Sequence, residues 1–234
     1  MSVEINFKLN QALFLRNPQD TDLGRRILKN SILLIDEIGF EAFTFKKLAK
    51  AIHSTEASIY RYFENKHLLL VYLFSWYFEW LSYLIDRNTN NLTDPARKLK
   101  IAISTIVNAS IENPAVEYIN ESILHKIIIS EGAKAYHTKL VDQDNQKGLF
   151  LDYKKLNGKV SALINEVDEE FKYPQALASN IFEMSNNQVF FALHLPRLTD
   201  IKVRSDNQKQ VDEKLYKQVD DMLQYFVFKL LNSK

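Results

Sequence analysis

The chain has 234 residues, 46% of them hydrophobic, with a net charge of +1, five Gly, five Pro and no Cys. This length suits one or two domains, the few turn formers argue against a β-rich fold, and the lack of Cys excludes disulfides and thiolate metal sites and fits a reducing compartment. No uncharged run approaches the roughly 18 residues of a membrane span, and the opening MSVEINFKLNQALF lacks the basic start and apolar run of a signal peptide. The expectation is a cytoplasmic protein with no membrane partner.

The first 20 residues read as an irregular arm. A helix follows over Asp22 to Gly39, with Leu28, Ile32, Ile35 and Ile38 as its buried stripe and Gly39 as its C-terminal cap. Over Thr44–Phe63, TFKKLAKAIHSTEASIYRYF, one apolar set (Phe45, Leu48, Ala49, Ile52) is followed by a break at His53, Ser54 and Thr55. A second set (Ile59, Phe63) then resumes the helical period. Thr44 and Thr55 can each cap a short helix through the hydroxyl. The spacing turns Glu56, Ala57, Ser58, Tyr60, Arg61 and Tyr62 away from the core, as on a helix that enters the major groove of DNA. Lys46 and Lys47 on the first short helix and His53 in the turn complete this face. From Arg25 to Lys66 there are eight bases and five acids, a local +3 on a near-neutral chain, which suits phosphate neutralisation.

A helix over Lys66 to Arg87 carries Leu69, Leu73, Trp76, Trp80 and Leu84 on one face. The polar break Asn88 to Thr93 precedes Asp94-Pro95, which opens a helix running to about Glu112. After Asn113-Pro114 the pattern runs from Ala115 to Ser130. Glu131 to Lys147 reads as a loop or frayed helix. Further helices are expected over Gly148 to Phe171, Pro174 to Leu195 and Val211 to Leu231, with no repeat or low-complexity tract.

Catalytic signatures are absent: there is no Gly-rich phosphate loop, HExxH, Gly-x-Ser-x-Gly or Cys nucleophile, and no cofactor is implied. Glu117, Glu121 and His125 at successive i, i+4 positions have a spacing open to a metal. The reading adopted is a solvated or ligand-facing polar stripe, with no metal. His194 is read as a helix-terminal residue bonding the last carbonyls.

Residues 1 to about 87 resemble the N-terminal part of TetR-family transcriptional regulators. The resemblance rests on the long amphipathic helix, Gly39-Phe40, the short helix pair, and Tyr60-Arg61-Tyr62-Phe63 followed by Lys66. It implies an all-α fold in which an arm and three-helix helix-turn-helix DNA-binding domain (1–66) precede a larger helical ligand-binding and dimerisation domain (67–234). It also implies that Thr44 and Lys66 hold phosphates and that Thr55, Glu56, Ala57, Ser58, Tyr60 and Arg61 face the DNA. The chain departs from the family at His53, where Gly is usual, at Ser54, where Val is usual, and at Glu56, often Lys. His53 must then take the turn conformation without glycine's freedom, and Glu56 repels phosphate and can accept from a cytosine amino group.

The family commonly encloses an effector among the helices after the reader. Trp76, Trp80, Tyr83, Tyr118, Tyr153 and Phe190 are the candidates here to line a site for an apolar or aromatic molecule, with core packing the alternative for each. The last two helices carry apolar faces, Leu177, Ile181, Met184 and Phe191 on one and Val211, Leu215, Val219, Leu223, Phe226 and Leu230 on the other. They are expected to form a four-helix bundle with their symmetry mates. The reading is a homodimeric repressor released from a palindromic double-stranded operator by a small-molecule effector, and not an enzyme. The alternative is an all-helical carrier or interaction protein with a vestigial helix-turn-helix, a helical enzyme being more distant.

Overall fold

The computed structural model describes residues 5–109, 117–203 and 208–231, the side chains of 208–212 excepted. Among them every regular element is helical. In chain order the α-helices are α1 (Asp22–Ala42), α2 (Phe45–Ala51), α3 (Glu56–Tyr60), α4 (Lys66–Thr89), α5 (Pro95–Val107), α6 (Glu121–Glu131), α7 (Ala133–Tyr136), α8 (Val141–Gln146), α9 (Leu151–Val167), α10 (Pro174–His194) and α11 (Gln208–Leu231). The chain divides into two compact units, Met1–Trp80 with Ser110–Tyr153, and Leu81–Ala109 with Lys154–Lys234. This division by packing does not fall at the expected 66/67 boundary. The apolar face of α6 (Leu124, Ile127, Ile128) is buried, and α6 packs on α1, which draws the segment after residue 117 into the N-terminal core.

In the first unit the arm is more regular than expected. It forms two 3-10 turns, Gln11–Leu13 and Pro18–Asp20, capped by Asn10 and Asn17, whose side chains accept from the Ala12 and Gln19 amides. The Gln19 side chain bonds both the Phe7 carbonyl (2.8 Å) and the Phe7 amide (3.3 Å), and Leu9 and Leu13 are buried. Gly24 permits this packing, because a Cβ there would stand 2.3 Å from the Pro18 carbonyl oxygen. On α1, Ile27, Leu28, Ile32 and Ile35 are buried, while Ile38 is only half-buried. Helical geometry breaks at Gly39 (φ 74°, ψ 158°), where the sequence places the cap.

The first half of α4 is enclosed on all sides, with every residue from Leu69 to Phe78 buried, so the one-sided stripe expected there is too narrow. A helix apolar all round belongs in an interior. Its length and hydropathy would also suit a membrane span, but 78% of that window is buried within the protein.

Helix boundaries shift where polar residues intervene. α6 begins at Glu121, where the Asn120 side chain caps it, accepting from the Ile123 amide at 2.9 Å. Residues 110–116 lie outside the described part, as do the end of the helix expected at Glu112 and the start expected at Ala115. The segment 131–147, expected as a loop or frayed helix, holds the short helices α7 and α8, anchored where buried Asp144 meets His67 at 3.1 Å. α9 starts at Leu151, after Gly148 takes φ 74°.

The second unit packs α5, α10 and α11 on one another. Its core contains Leu99, Ile103 and Ile106 of α5, Ile181, Phe182 and Val189 of α10, and Leu215, Val219, Leu223 and Val227 of α11. Ser104 of α5 donates to Asp220 of α11 (2.8 Å) and accepts from Gln224 (3.0 Å), which fixes the register of the two helices.

Candidate DNA-reading site

The reading surface is built from two caps and a turn. Thr44 caps α2, its hydroxyl accepting from the Lys47 amide at 3.2 Å, and Thr55 caps α3 by accepting from the Ser58 amide at 3.2 Å. Between the two helices the Ser54 amide bonds the Ala49 carbonyl (2.9 Å) and the His53 amide bonds the Lys50 carbonyl (3.3 Å), with His53 at φ 50°. This 6→1 and 5→2 pair is the Schellman arrangement, which places a left-handed residue just past the helix end. His53 thus adopts the conformation its position requires, among the described residues the sole non-Gly residue with positive φ.

Phe45, Leu48, Ala49, Ile52, Ile59 and Phe63 form the buried side of this pair. Thr44, Lys46, Lys47, His53, Thr55, Glu56, Ala57, Tyr60 and Arg61 are exposed, with Ser58 and Lys66 half-buried. The ring of Tyr60 stands edge-on to Phe45 (centroids 5.0 Å apart) while the residue stays 47% exposed. Arg61 donates to the Ser58 hydroxyl (3.3 Å), itself 2.8 Å from that of Thr55. A short outward face carrying a guanidinium, a phenol, hydroxyls, one carboxylate and a small Ala57 has the chemistry to approach base edges and phosphates.

One placement departs from the sequence expectation, and two lysines engage backbone carbonyls. Tyr62, expected on the outward face, is 2% exposed; its hydroxyl pairs with Thr21 at 2.8 Å and its carbonyl accepts from the Leu15 amide at 2.8 Å. Its position three residues after buried Ile59 is the helical spacing that would have identified it. Lys47 donates to the Ala42 carbonyl (2.8 Å). Lys66 donates to the carbonyls of Phe40 (3.0 Å), Glu41 (3.1 Å) and Phe43 (3.2 Å), with its ammonium 4.8 Å from the Phe40 ring centre.

Two supporting residues carry no motif that the sequence could announce. Arg26 reaches from α1 to the Ile52 carbonyl at the end of α2. Glu131, buried at the end of α6, accepts from the Phe40 amide at 3.1 Å and pairs with Lys134 at 2.7 Å; Lys134 also meets Glu41 at 3.1 Å. The hydrogen bond to Glu131 raises the Lys134 pKa above its usual value.

The other candidates disperse. Glu117 precedes α6 and is exposed, whereas Glu121 and His125 are buried on it, so the three do not share one helical face and the stripe is not solvated. No cluster of three metal-binding side chains occurs among the described residues. His125 Nδ1 lies 2.6 Å from the Tyr77 hydroxyl, and burial lowers its pKa to about 3, so the ring is neutral. His194 ends α10 with its ring 4.7 Å from that of Phe190.

Of the proposed ligand-lining residues, Trp76 and Trp80 are buried and stacked (6.3 Å, 19°), and their indole N–H groups meet no acceptor among the described residues. Tyr118 is buried and donates to Gln19 (3.3 Å). Tyr153 stacks on Phe78 (4.6 Å) beside a cleft of about 10 Å³, which is room for one water and well below the roughly 300–1,000 Å³ of ligand sites. Tyr83, exposed beneath the Arg87 guanidinium, and half-buried Phe190 belong to the second unit.

Of the proposed dimer residues, Ile181, Leu215, Val219 and Leu223 are core of the second unit. Leu177, Met184 and Phe191 are half-buried, Phe226 is 43% exposed, and Val211 lies outside the described side chains. The outer apolar face of α11 is instead Tyr225, Phe226 and Leu230.

An α-helical chain whose N-terminal unit presents a capped helix-turn-helix with a polar outer face has the architecture of a DNA-binding regulator. Residues 27–73 match the model of the family described as "Bacterial regulatory proteins, tetR family". No curated protein matches the sequence. Among solved structures it is similar to AibR in complex with isovaleryl coenzyme A and operator DNA (16% identity, TM-score 0.56, 85% of this chain and 97% of that one). It is also similar to the fatty acid degradation regulator FadR from Bacillus halodurans (21%, 0.56, 85% and 96%). The superantigen PfiT matches as well (11%, 0.55, 90% and 97%). At these identities the likeness establishes the fold, shared here between two regulators and a protein described otherwise.

Proposed function

We propose that the chain is a homodimeric repressor in which residues 1–66 read DNA and residues 67–234 bind an effector and the second copy. The observation that carries this reading is the α2–turn–α3 geometry, with both N-caps made, the turn closed at His53, and Thr55, Glu56, Ala57, Tyr60 and Arg61 on one exposed face. Two copies would present two α3 helices to successive major grooves of a palindrome, about 34–36 Å apart. The exposed Tyr225, Phe226 and Leu230 of α11 support a two-fold contact in the second unit. Such a protein acts on DNA in the cytoplasm.

The effector is a small, largely apolar or aromatic molecule. The stacked Trp76 and Trp80 support it, and their indole donors favour a ligand that also carries a hydrogen-bond acceptor. By binding better to one reader arrangement it would lower operator affinity by the same coupling energy, typically about 1–3 kcal/mol, with which DNA lowers its own affinity.

Selection from a random-sequence duplex library tests the reading: a palindromic fragment should be enriched, and Arg61→Ala and Tyr60→Ala should lose it. The likeness to PfiT favours a second reading, an interaction protein with a vestigial reader. Failure to enrich any sequence supports that one.

A further inference from the structure

We propose that Lys66 and Glu131 form a two-sided clamp on the corner between α1 and α2, and that Lys66 is a positioning residue of the reader and not one of its phosphate ligands. The inference rests on the DNA-reading function proposed above for its consequence, but the clamp itself stands on the geometry of the first unit.

The corner is Gly39–Phe43, five residues that end α1 and set the position of Thr44, the cap of α2. Gly39 turns the chain into the left-handed region, which leaves the Phe40 amide outside the hydrogen-bond ladder of α1. That amide donates to buried Glu131 at 3.1 Å. The Gly39 position also admits the carboxylate, since a Cβ there would lie 3.7 Å from Glu131 Oε1 and would carry the strain of φ 74°. On the carbonyl side, Lys66 gathers three oxygens that α1 and its cap leave over, those of Phe40, Glu41 and Phe43. An ammonium has three donors, and these bonds use all of them. Holding a phosphate would mean giving up at least one of these carbonyls.

Each half of the clamp comes from a different helix. Lys66 opens α4, while Glu131 closes α6 and is held by Lys134, which ties itself to Glu41 of the same corner. The positions of α4 and α6 are therefore both imposed on the entry to α2. α3 follows after a four-residue connection. Six residues before Glu131, about 9 Å along the helix axis, α6 also carries His125 against Tyr77 of α4. A displacement of α6 relative to α4 would pull the two grips of the clamp apart.

The test uses the full chain without a ligand. Amide exchange is compared for wild type, Lys66→Met, Glu131→Ala and Glu131→Gln, and binding is measured over a salt series to the fragment that wild type enriches. Lys66→Met and Glu131→Ala should speed exchange at Phe40 and through α2 about tenfold or more, with α11 unchanged. Glu131→Gln, which keeps an acceptor for Phe40, should stay near wild type. Operator affinity of the first two should fall about tenfold, with the slope of log K against log salt unaltered.

A Lys66→Met slope lower by about one, with exchange unchanged, would make Lys66 a phosphate ligand and overturn the proposal. So would wild-type exchange in Glu131→Ala, or exchange in Glu131→Gln as fast as in Glu131→Ala. A uniform rise across all amides would show general destabilisation and would also overturn it. If wild type enriches no DNA, the DNA-reading function fails while the exchange measurements still decide the clamp.

Discussion

His53 allows the cost of a missing glycine to be worked out. It occupies the left-handed position that closes α2, at φ 50°, where its own amide and that of Ser54 satisfy the last carbonyls. An L-residue in that region costs about 1–2 kcal/mol, which glycine avoids, whereas glycine's extra freedom in the unfolded chain returns about 0.4–1 kcal/mol of that advantage. His53→Gly should therefore be more stable than His53→Ala by roughly 0.7 kcal/mol, or about 2 °C in melting temperature for a chain of this size. Comparing the two variants with each other removes the effect of losing an exposed imidazole. Thermal unfolding followed by circular dichroism measures the difference. If His53→Ala proved at least as stable as His53→Gly, the turn would not hold residue 53 in the left-handed region in solution, and the account of the reader's geometry would be wrong.

How much of this was legible in the sequence depends on whether a feature is local. Thr44, Thr55, the turn at His53 and the alternation of buried and exposed residues through α2 and α3 are set by neighbours within five positions, and all stand as the spacing implies. Tyr62 is the exception: its spacing from Ile59 marks a buried position, and its hydroxyl is satisfied there by Thr21, 41 residues away. The expected roles of Leu215, Val219 and Leu223 ran together two apolar stripes of one helix. Composition shows that α11 is apolar on more than one side, but only the placement of α5 and α10 decides which stripe the chain covers itself. Glu131 lies beyond local reasoning altogether, because its partner is 91 residues away and a single Glu at a helix end carries no motif. The same holds for the three carbonyls of Phe40, Glu41 and Phe43 that Lys66 meets, which lie 23 to 26 residues away and carry no motif. The caps and turn of α2 and α3 are local and readable, whereas the contacts that hold them are long-range.

Further outcomes follow from the described geometry. Phe226→Lys with Leu230→Glu should leave the fold intact and shift the proposed dimer to monomer in sedimentation, whereas Leu223→Glu buries a charge in the second unit and should unfold it. A Phe226/Leu230 variant that stays dimeric would place the contact elsewhere. If the exposed face of α3 reads DNA as proposed, Glu56→Gln should raise affinity for any duplex by removing a carboxylate from it, and should change the base preferred at one position of each half-site; an unchanged selected sequence would remove Glu56 from base reading. The pH dependence turns on His125. Its folded-state pKa, lowered by burial to about 3, lies below the unfolded value near 6.5, so between those limits the unfolded chain binds the extra proton and stability falls as pH falls. The loss builds to the order of a few kcal/mol at the acid end and is absent above pH 7. Replacing His125 by Phe removes the titrating ring along with its bond to Tyr77, so the variant should be less stable at pH 7 yet lose less on acidification than wild type. Denaturant unfolding at pH 7 and pH 5 measures both terms, and an equal acid loss in the two proteins would mean that His125 is not buried neutral in the folded state.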